Sequence, residues 1–454
     1  MEPPPLSSTN RVPSFVIRGL AEAFLAGPWD LDDLVERGGR VLGRKYRWLR
    51  PLAGRVLAAF AEAPRPRVAR LAGFLRDDHG FQKASRRHEL TLHFARWPTP
   101  VMMPAPGAPA SWPVPALATE AELARFLDLE LNELDWFADC QARERTARVE
   151  PLRHYRYRWV AKPSGSLRLI EAPKPRLKRL QRRLLDAILL PVPPHESAHG
   201  FRPGRSVTTF VAPHVGRTIV LKMDLRDFFV SISSAQVVSI FLTAGYPEPV
   251  ARLLTGLCTN TVPLDVWNQS ARLATGPAGS AVSWRARRLY RQPHLPQGAP
   301  TSPALANLAA YRLDARLTGL ANAAQASYTR YADDLVFSGG ESFARSIGRF
   351  AIHVAAIALE EGFAVQHKKT RIMRQGVRQL AAGVVINQRI NIKRHDYDRL
   401  KAILWNCARH GPHGQNRAKV ADFRAHLAGC VAHAARINPE RGQKLVRLFE
   451  RISW

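Results

Sequence analysis

The sequence predicts an α+β protein with a mostly helical N-terminal extension, followed by strands in the middle of the chain. Apolar residues recur at three- and four-residue spacing over residues 16–97, which predicts amphipathic helices. Two β-rich apolar stretches predict strands, TIVLKMDL at 218–225 and ASYTRYADDLVFS at 326–338, the second of them a hairpin. A third stretch, from residue 153, alternates aromatic and basic residues before a turn, a strand and a basic helix.

Composition narrows the class of protein. The chain has 454 residues, 46% hydrophobic and 23% charged, which fits a globular protein of two to four domains. Its 67 Lys and Arg against 37 Asp and Glu give a formal net charge of +30. Because such a chain repels itself unless a polyanion screens it, nucleic acid is the first partner to consider.

Cysteine spacing and the chain start favour a reduced, cytoplasmic, soluble protein with no membrane partner. Cys140, Cys258, Cys407 and Cys430 form no CxxC pair, which argues against a zinc knuckle and a disulfide scaffold. The first residues lack the pattern of a signal peptide. No apolar run approaches the ~20 residues that span a bilayer.

The first part of the chain is predicted to be a helical extension of unassigned function, residues 1–117, which ends in a Pro-rich linker at 96–116. Helix returns at 118–140, with Thr119 as N-cap. From 153, a strand–turn–strand and the basic helix at 175–190 suit a surface that grips phosphates. A solvated amphipathic helix explains the same pattern equally well.

Three carboxylates stand where strands are predicted to end or turn. Asp224 lies near the end of the first strand, and Asp333 and Asp334 lie in the hairpin turn. If the two strands are neighbours, the carboxylates converge and raise one another's pKa. Mg²⁺, a hard ion that prefers oxygen ligands, would stabilise such a cluster. Two Mg²⁺ ions about 3.5–4 Å apart can activate a 3′-hydroxyl and stabilise a pyrophosphate leaving group.

A Pro- and Gly-bearing loop, LPQGAPTSP at 295–303, precedes a predicted helix with Ser302 as N-cap and Pro303 as first residue. Gly298 lets backbone come close to a ligand, and a helix start suits a nucleotide. An ordinary capped helix is the alternative.

Taken in order, these segments resemble motifs A, B and C of reverse transcriptases: KMDLRDFFVSI, LPQGAPTSP and YADDLVFS. The resemblance covers roughly residues 120–454 and is nearest to bacterial retron enzymes. Further segments resemble the two fingers motifs, motif D, the primer-supporting strand pair and the thumb: 159–189, 197–207, 361–373, 378–387 and 427–454. Two segments depart from the retron pattern, FVAPH at 210–214 and Ala381-Ala382-Gly383, so we expect an unusual choice of RNA.

The resemblance implies the roles of the metal-binding and sugar-selecting residues. Asp224, Asp333 and Asp334 would hold two Mg²⁺ ions, with the Leu225 carbonyl as a further ligand. Phe229 occupies the position of an aromatic gate that collides with a ribose 2′-hydroxyl.

The resemblance also implies roles for residues that handle the nucleotide. Gln297 and Gly298 would contact its sugar and base, and Lys162 and Arg168 would clamp its triphosphate. Lys369 would protonate pyrophosphate, with Lys368 as the competing choice.

A right-hand polymerase is therefore expected, with four parts: the extension 1–117, an N-terminal helix and fingers 118–217, a palm 218–394 that includes a fingers segment and loop insertion at 233–294, and an RNA-binding thumb 395–454. Within the insertion, 264–294 reads as a long loop. In the thumb, Lys444, Arg447 and Arg451 fall on one helical face, either as an RNA contact or as a solvated face.

The activity implied is RNA-directed DNA synthesis with dNTPs on a structured noncoding RNA. Synthesis would start from an RNA 2′-hydroxyl and leave a branched RNA–DNA hybrid (msDNA). The expected role is anti-phage defence with an effector protein. Two alternatives remain open, a phage-defence reverse transcriptase outside the retrons and a non-enzymatic basic RNA-binding protein. A group II intron maturase would need a longer region after the thumb, and Phe229 disfavours an RNA-dependent RNA polymerase.

Overall fold

The computed structural model describes residues 12–27, 29–61, 66, 68–93, 102, 112–147, 149–161, 167–273 and 284–454, except for the side chains of 270–273 and of 284 and 285. Described residues divide into two compact units. The first comprises Met1–Val192 with Ile232–Leu305, and the second comprises Pro193–Ser231 with Ala306–Trp454. The predicted boundaries between fingers, palm and thumb stay a prediction.

Five helices form the described part of the N-terminal extension, as the apolar spacing predicts. They enclose a core of their own, in which Leu20, Phe24, Leu49 and Phe81 are buried. Their bounds are α1 Ser14–Leu25, α2 Leu31–Val41, α3 Leu49–Ala59, α4 Val68–Asp77 and α5 His79–Arg87.

The rest of the first unit combines a two-stranded sheet with helices. The strands β1 Tyr155–Ala161 and β2 Leu167–Pro173 are antiparallel. Thr119 caps its helix through a capping box with Glu122, which confirms the predicted N-cap. The helices are α6 Glu120–Leu127, α7 Leu131–Ala138, α8 Pro175–Leu184, α11 Ser234–Thr243, α12 Glu248–Cys258, α13 Leu264–Leu273, α14 Trp284–Tyr290 and α15 Ser302–Ala309, which runs past the unit boundary.

Two expectations in this unit are wrong. The long loop expected at 264–294 contains helices α13 and α14, because apolar residues such as Val266, Trp267 and Tyr290 are buried on these helices. Ser302 does not cap α15 from outside but is its first residue. Its hydroxyl donates instead to the Pro296 carbonyl, at 2.7 Å, which secures the preceding loop.

The second unit is built on a four-stranded antiparallel sheet of order β4-β5-β3-β6. A short pair, β7 and β8, lies apart from that sheet, and helices pack around both. The strands are β3 Ile219–Asp224, β4 Ser327–Tyr331, β5 Asp334–Gly339, β6 Arg371–Arg374, β7 Leu380–Ala381 and β8 Val384–Val385. The helices are α9 Val207–Val211, α10 Phe228–Ser231, α16 Tyr311–Ala323, α17 Glu341–Glu360, α18 Arg394–His410, α19 Phe423–Ile437 and α20 Pro439–Phe449.

Within the described residues, α17 alone is long and apolar enough to cross a membrane by length and composition. Its buried face includes Phe343, Phe350 and Val354, and the Phe350 ring lies 5.1 Å from the ring of Phe337 in β5. The helix therefore contributes to the core behind the sheet. The last three helices enclose a separate small core that includes Leu404, Leu427 and Leu445.

Candidate active site

Strand pairing brings the three aspartates together. Strands β3 and β5 are antiparallel, and their register places Asp224 opposite Asp334. Ala332 and Asp333 form the turn between β4 and β5, and the Leu225 amide donates to the Asp333 carbonyl at 2.8 Å. The predicted convergence is therefore confirmed, although Asp333 and Asp334 lie 109 and 110 positions after Asp224 in the chain.

Burial and mutual repulsion perturb the carboxylates. Burial, followed by the charges of Asp224 and Asp334, raises the pKa of Asp333. Burial also raises the pKa of Asp334, although the neighbouring ammonium of Lys222 works against the rise. A site that raises carboxylate pKa values in this way gains stability when a cation neutralises it.

Two lysines neutralise part of this charge. Lys369 Nζ donates to Asp224 Oδ2 at 2.8 Å, and Lys222 Nζ donates to Asp334 Oδ2 at 2.9 Å. Lys222 lies two residues before Asp224 on β3, and residues two apart on a strand face the same side, so sequence reasoning could have found it. Burial lowers the pKa of Lys369, but the hydrogen bond and charge of Asp224 outweigh burial and raise it overall.

The segment that carries Lys369 is attached to the end of β3. The Gln366 amide donates to the Asp224 carbonyl at 2.7 Å, and the Lys369 amide donates to Gln366 at 2.9 Å. Lys368 is exposed and its carbonyl accepts from Arg371, so the structure brings Lys369 rather than Lys368 to the carboxylates. Its acid role stays a prediction.

The donor set suits a hard divalent ion. Asp224, Asp333 and Asp334 supply only carboxylate oxygens, which Mg²⁺ prefers. Among the described residues, no three His, Cys, Asp or Glu side chains are arranged ready to hold a metal. Lys222 and Lys369 each donate a hydrogen bond to one carboxylate oxygen of the cluster.

A buried ion pair that sequence reasoning missed holds the turn. Arg330 and Asp314 are both fully buried and joined at 2.6 Å. Arg330 Nη1 also donates to the Ala332 carbonyl and to Asn307 Oδ1, both at 3.1 Å. No spacing rule links Asp314 to the hairpin, since it lies on α16 beside the buried Leu313.

Phe229 lies on the short helix α10, directly after the turn that follows β3. It is half-buried, whereas Phe228 is buried, with the two rings 5.6 Å apart. The Phe201 ring lies 6.1 Å from the Phe229 ring. A half-buried ring in contact with two other rings can act as a rigid wall, as a sugar gate requires.

Three nucleotide-binding candidates of the first unit, Arg168, Gln297 and Gly298, lie on or against β2. The Glu171 amide donates to the Gln297 carbonyl at 2.9 Å, and a Cβ at position 298 would lie only 2.8 Å from the Glu171 carbonyl oxygen. Gly298 also has φ +139°, so both crowding and backbone favour glycine. Arg168 is exposed on β2, and Lys162 lies outside the described residues.

A buried network supports this loop and was not predicted. The Glu171 carboxylate accepts from Asn260 at 2.7 Å and pairs with His294 Nε2 at 3.0 Å. Burial lowers the pKa of His294, but the charge and hydrogen bond of Glu171 outweigh it and raise the pKa overall. The carboxamide oxygen Oε1 of Gln297 is buried without a hydrogen-bond partner among the described residues, so it is available to a ligand.

The predicted RNA-binding residues are exposed, as either reading requires. Lys444 and Arg447 lie on α20, but α20 ends at Phe449. The prediction that Arg451 shares their helical face is therefore wrong, and Arg451 lies in the turn that follows.

An antiparallel sheet that presents three carboxylates at a strand end and a hairpin turn defines the palm of a nucleic-acid polymerase. The reverse transcriptase (RNA-dependent DNA polymerase) family matches residues 160–386. The chain belongs to this family and is a retron-type reverse transcriptase, as the sequence motifs predicted. The alternatives of an RNA-dependent RNA polymerase and of a non-enzymatic RNA-binding protein are thereby excluded.

Three relatives carry the retron assignment. The chain is 38% identical to the retron Mx65 reverse transcriptase of Myxococcus xanthus over 76% of this chain and 74% of the relative. It is 36% identical to the retron Mx162 enzyme of the same organism, over 58% of this chain and 52% of that one. It is 31% identical to the retron Ec86 reverse transcriptase of Escherichia coli, over 53% of this chain and 65% of that one.

A solved structure of telomerase from Candida albicans with a fragment of telomeric RNA aligns with 64% of this chain and 54% of that chain. Its TM-score is 0.35 at 10% identity, too low to support a structural argument.

Proposed function

We propose that this reverse transcriptase uses Mg²⁺ and dNTPs at the site formed by Asp224, Asp333 and Asp334. The observation that supports this most is the strand register that places Asp224 opposite Asp334, with Asp333 in the adjoining turn. Two bound Mg²⁺ ions would lower the pKa of the primer 3′-hydroxyl and would neutralise charge on the phosphates.

The remaining steps belong to the side chains of the chain itself. Phe229 excludes the ribose 2′-hydroxyl, and Gln297 and Gly298 position the incoming nucleotide. Arg168 and Lys162 bind its triphosphate. Lys369, whose raised pKa keeps it protonated, donates a proton to pyrophosphate and exchanges its contact with Asp224 for one with the leaving group.

The polymerase test uses the purified chain with a DNA primer annealed to an RNA template. We expect extension that needs dNTPs and a divalent cation and that stops when EDTA is added. Extension that continues in EDTA would contradict the metal assignment, and no extension under any divalent cation would contradict the catalytic assignment.

We also propose, from its retron relatives, that the template is a structured noncoding RNA that primes synthesis from its own 2′-hydroxyl. The product would be a branched RNA–DNA hybrid, made in the cytoplasm. Sequencing of co-purified nucleic acid before and after treatment with a 2′,5′-debranching enzyme tests this. We expect DNA whose 5′ end becomes free only after debranching, and DNA with a free 5′ end at the outset would contradict it.

The biological role that we propose is anti-phage defence together with an effector protein. Cells carrying the complete locus should form fewer phage plaques than cells carrying the locus with Asp333→Asn. Equal plaque counts over a broad phage panel would contradict a defensive role that depends on DNA synthesis. A tagged chain should also retain the effector during purification.

A further inference from the structure

A cluster of arginines in the first unit has no role assigned above. Arg145, Arg287, Arg288 and Arg291, together with Gln292, line an open cavity of about 570 Å³. Four guanidinium groups that share one cavity repel one another, and arginine does not lose its charge at physiological pH. Such an arrangement is stable when an anion occupies the cavity.

The helix α14 holds one side of the cluster rigidly. Ala286 and Tyr290, four residues apart, are buried, and the Tyr290 ring lies 5.5 Å from Trp267 and 5.1 Å from His294. Arg287 and Arg291 are also four residues apart and are exposed. The buried face of the helix thus fixes the direction in which Arg287 projects, and Arg291 lies in the turn that directly follows the helix.

The turn that carries Arg145 is fixed by a buried carboxylate. Glu144 is 3% exposed and accepts a hydrogen bond from the Tyr157 hydroxyl at 2.8 Å. Asn260 donates to the same hydroxyl at 3.0 Å, and its backbone exchanges two hydrogen bonds with His294. Because His294 follows Arg291 by three residues, one buried network holds the backbone on both sides of the cluster.

Among the described residues, three of the four arginines of the cluster have no acidic partner. In the part of the chain that the structure describes, Arg145, Arg287 and Arg291 form no ion pair. Elsewhere in the same unit arginines do form such pairs, for example Arg153 with Asp265 at 2.8 Å. Planar guanidinium groups bind phosphate with two parallel hydrogen bonds, so phosphate oxygens fit this cavity.

We propose that Arg145, Arg287, Arg288 and Arg291 bind the phosphate backbone of RNA. The choice of RNA over DNA rests on the proposed function, in which RNA is both template and primer. The arginines bind phosphates without reading bases, and they hold the RNA to the first unit while the aspartates of the second unit act on its primer end.

The test measures how affinity depends on salt. A fluorescent single-stranded RNA 30-mer of mixed sequence is titrated with the full-length chain at several KCl concentrations. Each phosphate contact to a single strand contributes about 0.7 to the slope of log K against log salt. The variant Arg287→Gln/Arg291→Gln should therefore bind more weakly and lower this slope by about 1.4.

Two further variants separate binding from folding. Arg287→Lys/Arg291→Lys retains both charges and should retain the slope. Arg345→Gln/Arg349→Gln removes two exposed arginines with the same four-residue spacing on α17, and should also leave the slope unchanged. The proposal is overturned if Arg287→Gln/Arg291→Gln keeps the wild-type slope, or if the α17 control variant lowers the slope by the same amount.

The nature of the nucleic acid is tested with a DNA 30-mer of the same sequence. A slope that falls for DNA but not for RNA would assign the cluster to the DNA product and overturn the proposal. Failure of this proposal is distinguishable from failure of the proposed function, because the wild-type chain would still extend a primer on RNA.

Discussion

The guanidinium of Arg330 grips the carboxylate of Asp314 with two hydrogen bonds, at 2.8 and 2.6 Å, and neither side chain is exposed to solvent. Through its third nitrogen Arg330 also binds the Ala332 carbonyl, one residue before Asp333. The pair therefore connects α16 to the turn that positions two of the three carboxylates.

Breaking this pair should destabilise the second unit. Arg330→Met leaves Asp314 as a buried, unpaired charge, and removal of one partner from a buried pair costs about 3–5 kcal/mol. The double variant Arg330→Met/Asp314→Leu should recover part of that loss, because no buried charge remains. Urea denaturation of the three proteins measures both effects. An Arg330→Met protein as stable as wild type would contradict this account.

Phe229→Ala should relax sugar selection. Removing the ring opens space for a ribose 2′-hydroxyl, so ribonucleotides should be incorporated while dNTP incorporation changes little. The measurement is the ratio of kcat/KM for dGTP to kcat/KM for GTP, which should fall by roughly tenfold or more. A tenfold fall means that the difference between the two activation free energies shrinks by about 1.4 kcal/mol. Phe228→Leu is a useful control, since Phe228 is buried beside it. An unchanged ratio for Phe229→Ala would show that another group selects the sugar.

His214 should make the free energy of unfolding depend on pH. Its ring is buried between Ser338 Oγ at 2.6 Å and Thr329 Oγ1 at 2.8 Å, and burial lowers its pKa from 6.5 to about 3. Below about pH 6.5 the unfolded chain binds a proton at His214, whereas the folded chain binds it only near pH 3. The free energy of unfolding therefore falls as the pH falls through this window.

The largest slope that one such group gives is about 1.4 kcal/mol per pH unit. His214→Gln should be less stable at neutral pH but should lose stability less steeply on acidification. Urea denaturation at several pH values measures the slopes, with the exposed His353→Gln as control. Equal slopes for wild type and His214→Gln would contradict the buried, neutral ring.

Neutralising Lys444, Arg447 and Arg451 together should weaken binding of the co-purifying RNA. Each lost phosphate contact lowers the salt slope by about 0.7–0.9, so three should lower it by about 2. Extension of a generic annealed primer should change less, since the aspartates are untouched. Wild-type affinity and slope would show that these exposed side chains are only solvated. The residues that select the RNA would then lie outside this face.

Local pattern and motif order were enough to predict the α+β class, the hairpin and the convergence of Asp224 with Asp333 and Asp334. Each of those predictions depends on side-chain alternation along a strand or on residues adjacent in the chain. The Lys222 contact with Asp334 follows the same two-residue rule, so its signal is also present in the sequence.

Other contacts had no signal in the sequence. Two buried pairs, Arg330 with Asp314 and Glu171 with His294, join residues that only tertiary packing brings together. Both pairs are buried, whereas charged residues are usually exposed. The sequence predicts a loop where α13 and α14 lie, because Gly276 and Pro277 interrupt the short apolar spacing. Arg451 was assigned to a helical face because helix ends are poorly defined by periodicity.

The central claim, that the paired strand ends form the catalytic site, is tested most directly by primer extension on an RNA template with Asp333→Asn. We expect the extension rate to fall by at least about a thousandfold, which corresponds to a rise of ~4 kcal/mol in the activation barrier. The melting temperature in metal-free buffer should stay at or above that of wild type, because a buried, repelled charge is removed. Asp398→Asn, an exposed carboxylate on α18, should extend normally. Extension by Asp333→Asn at the wild-type rate would contradict the claim.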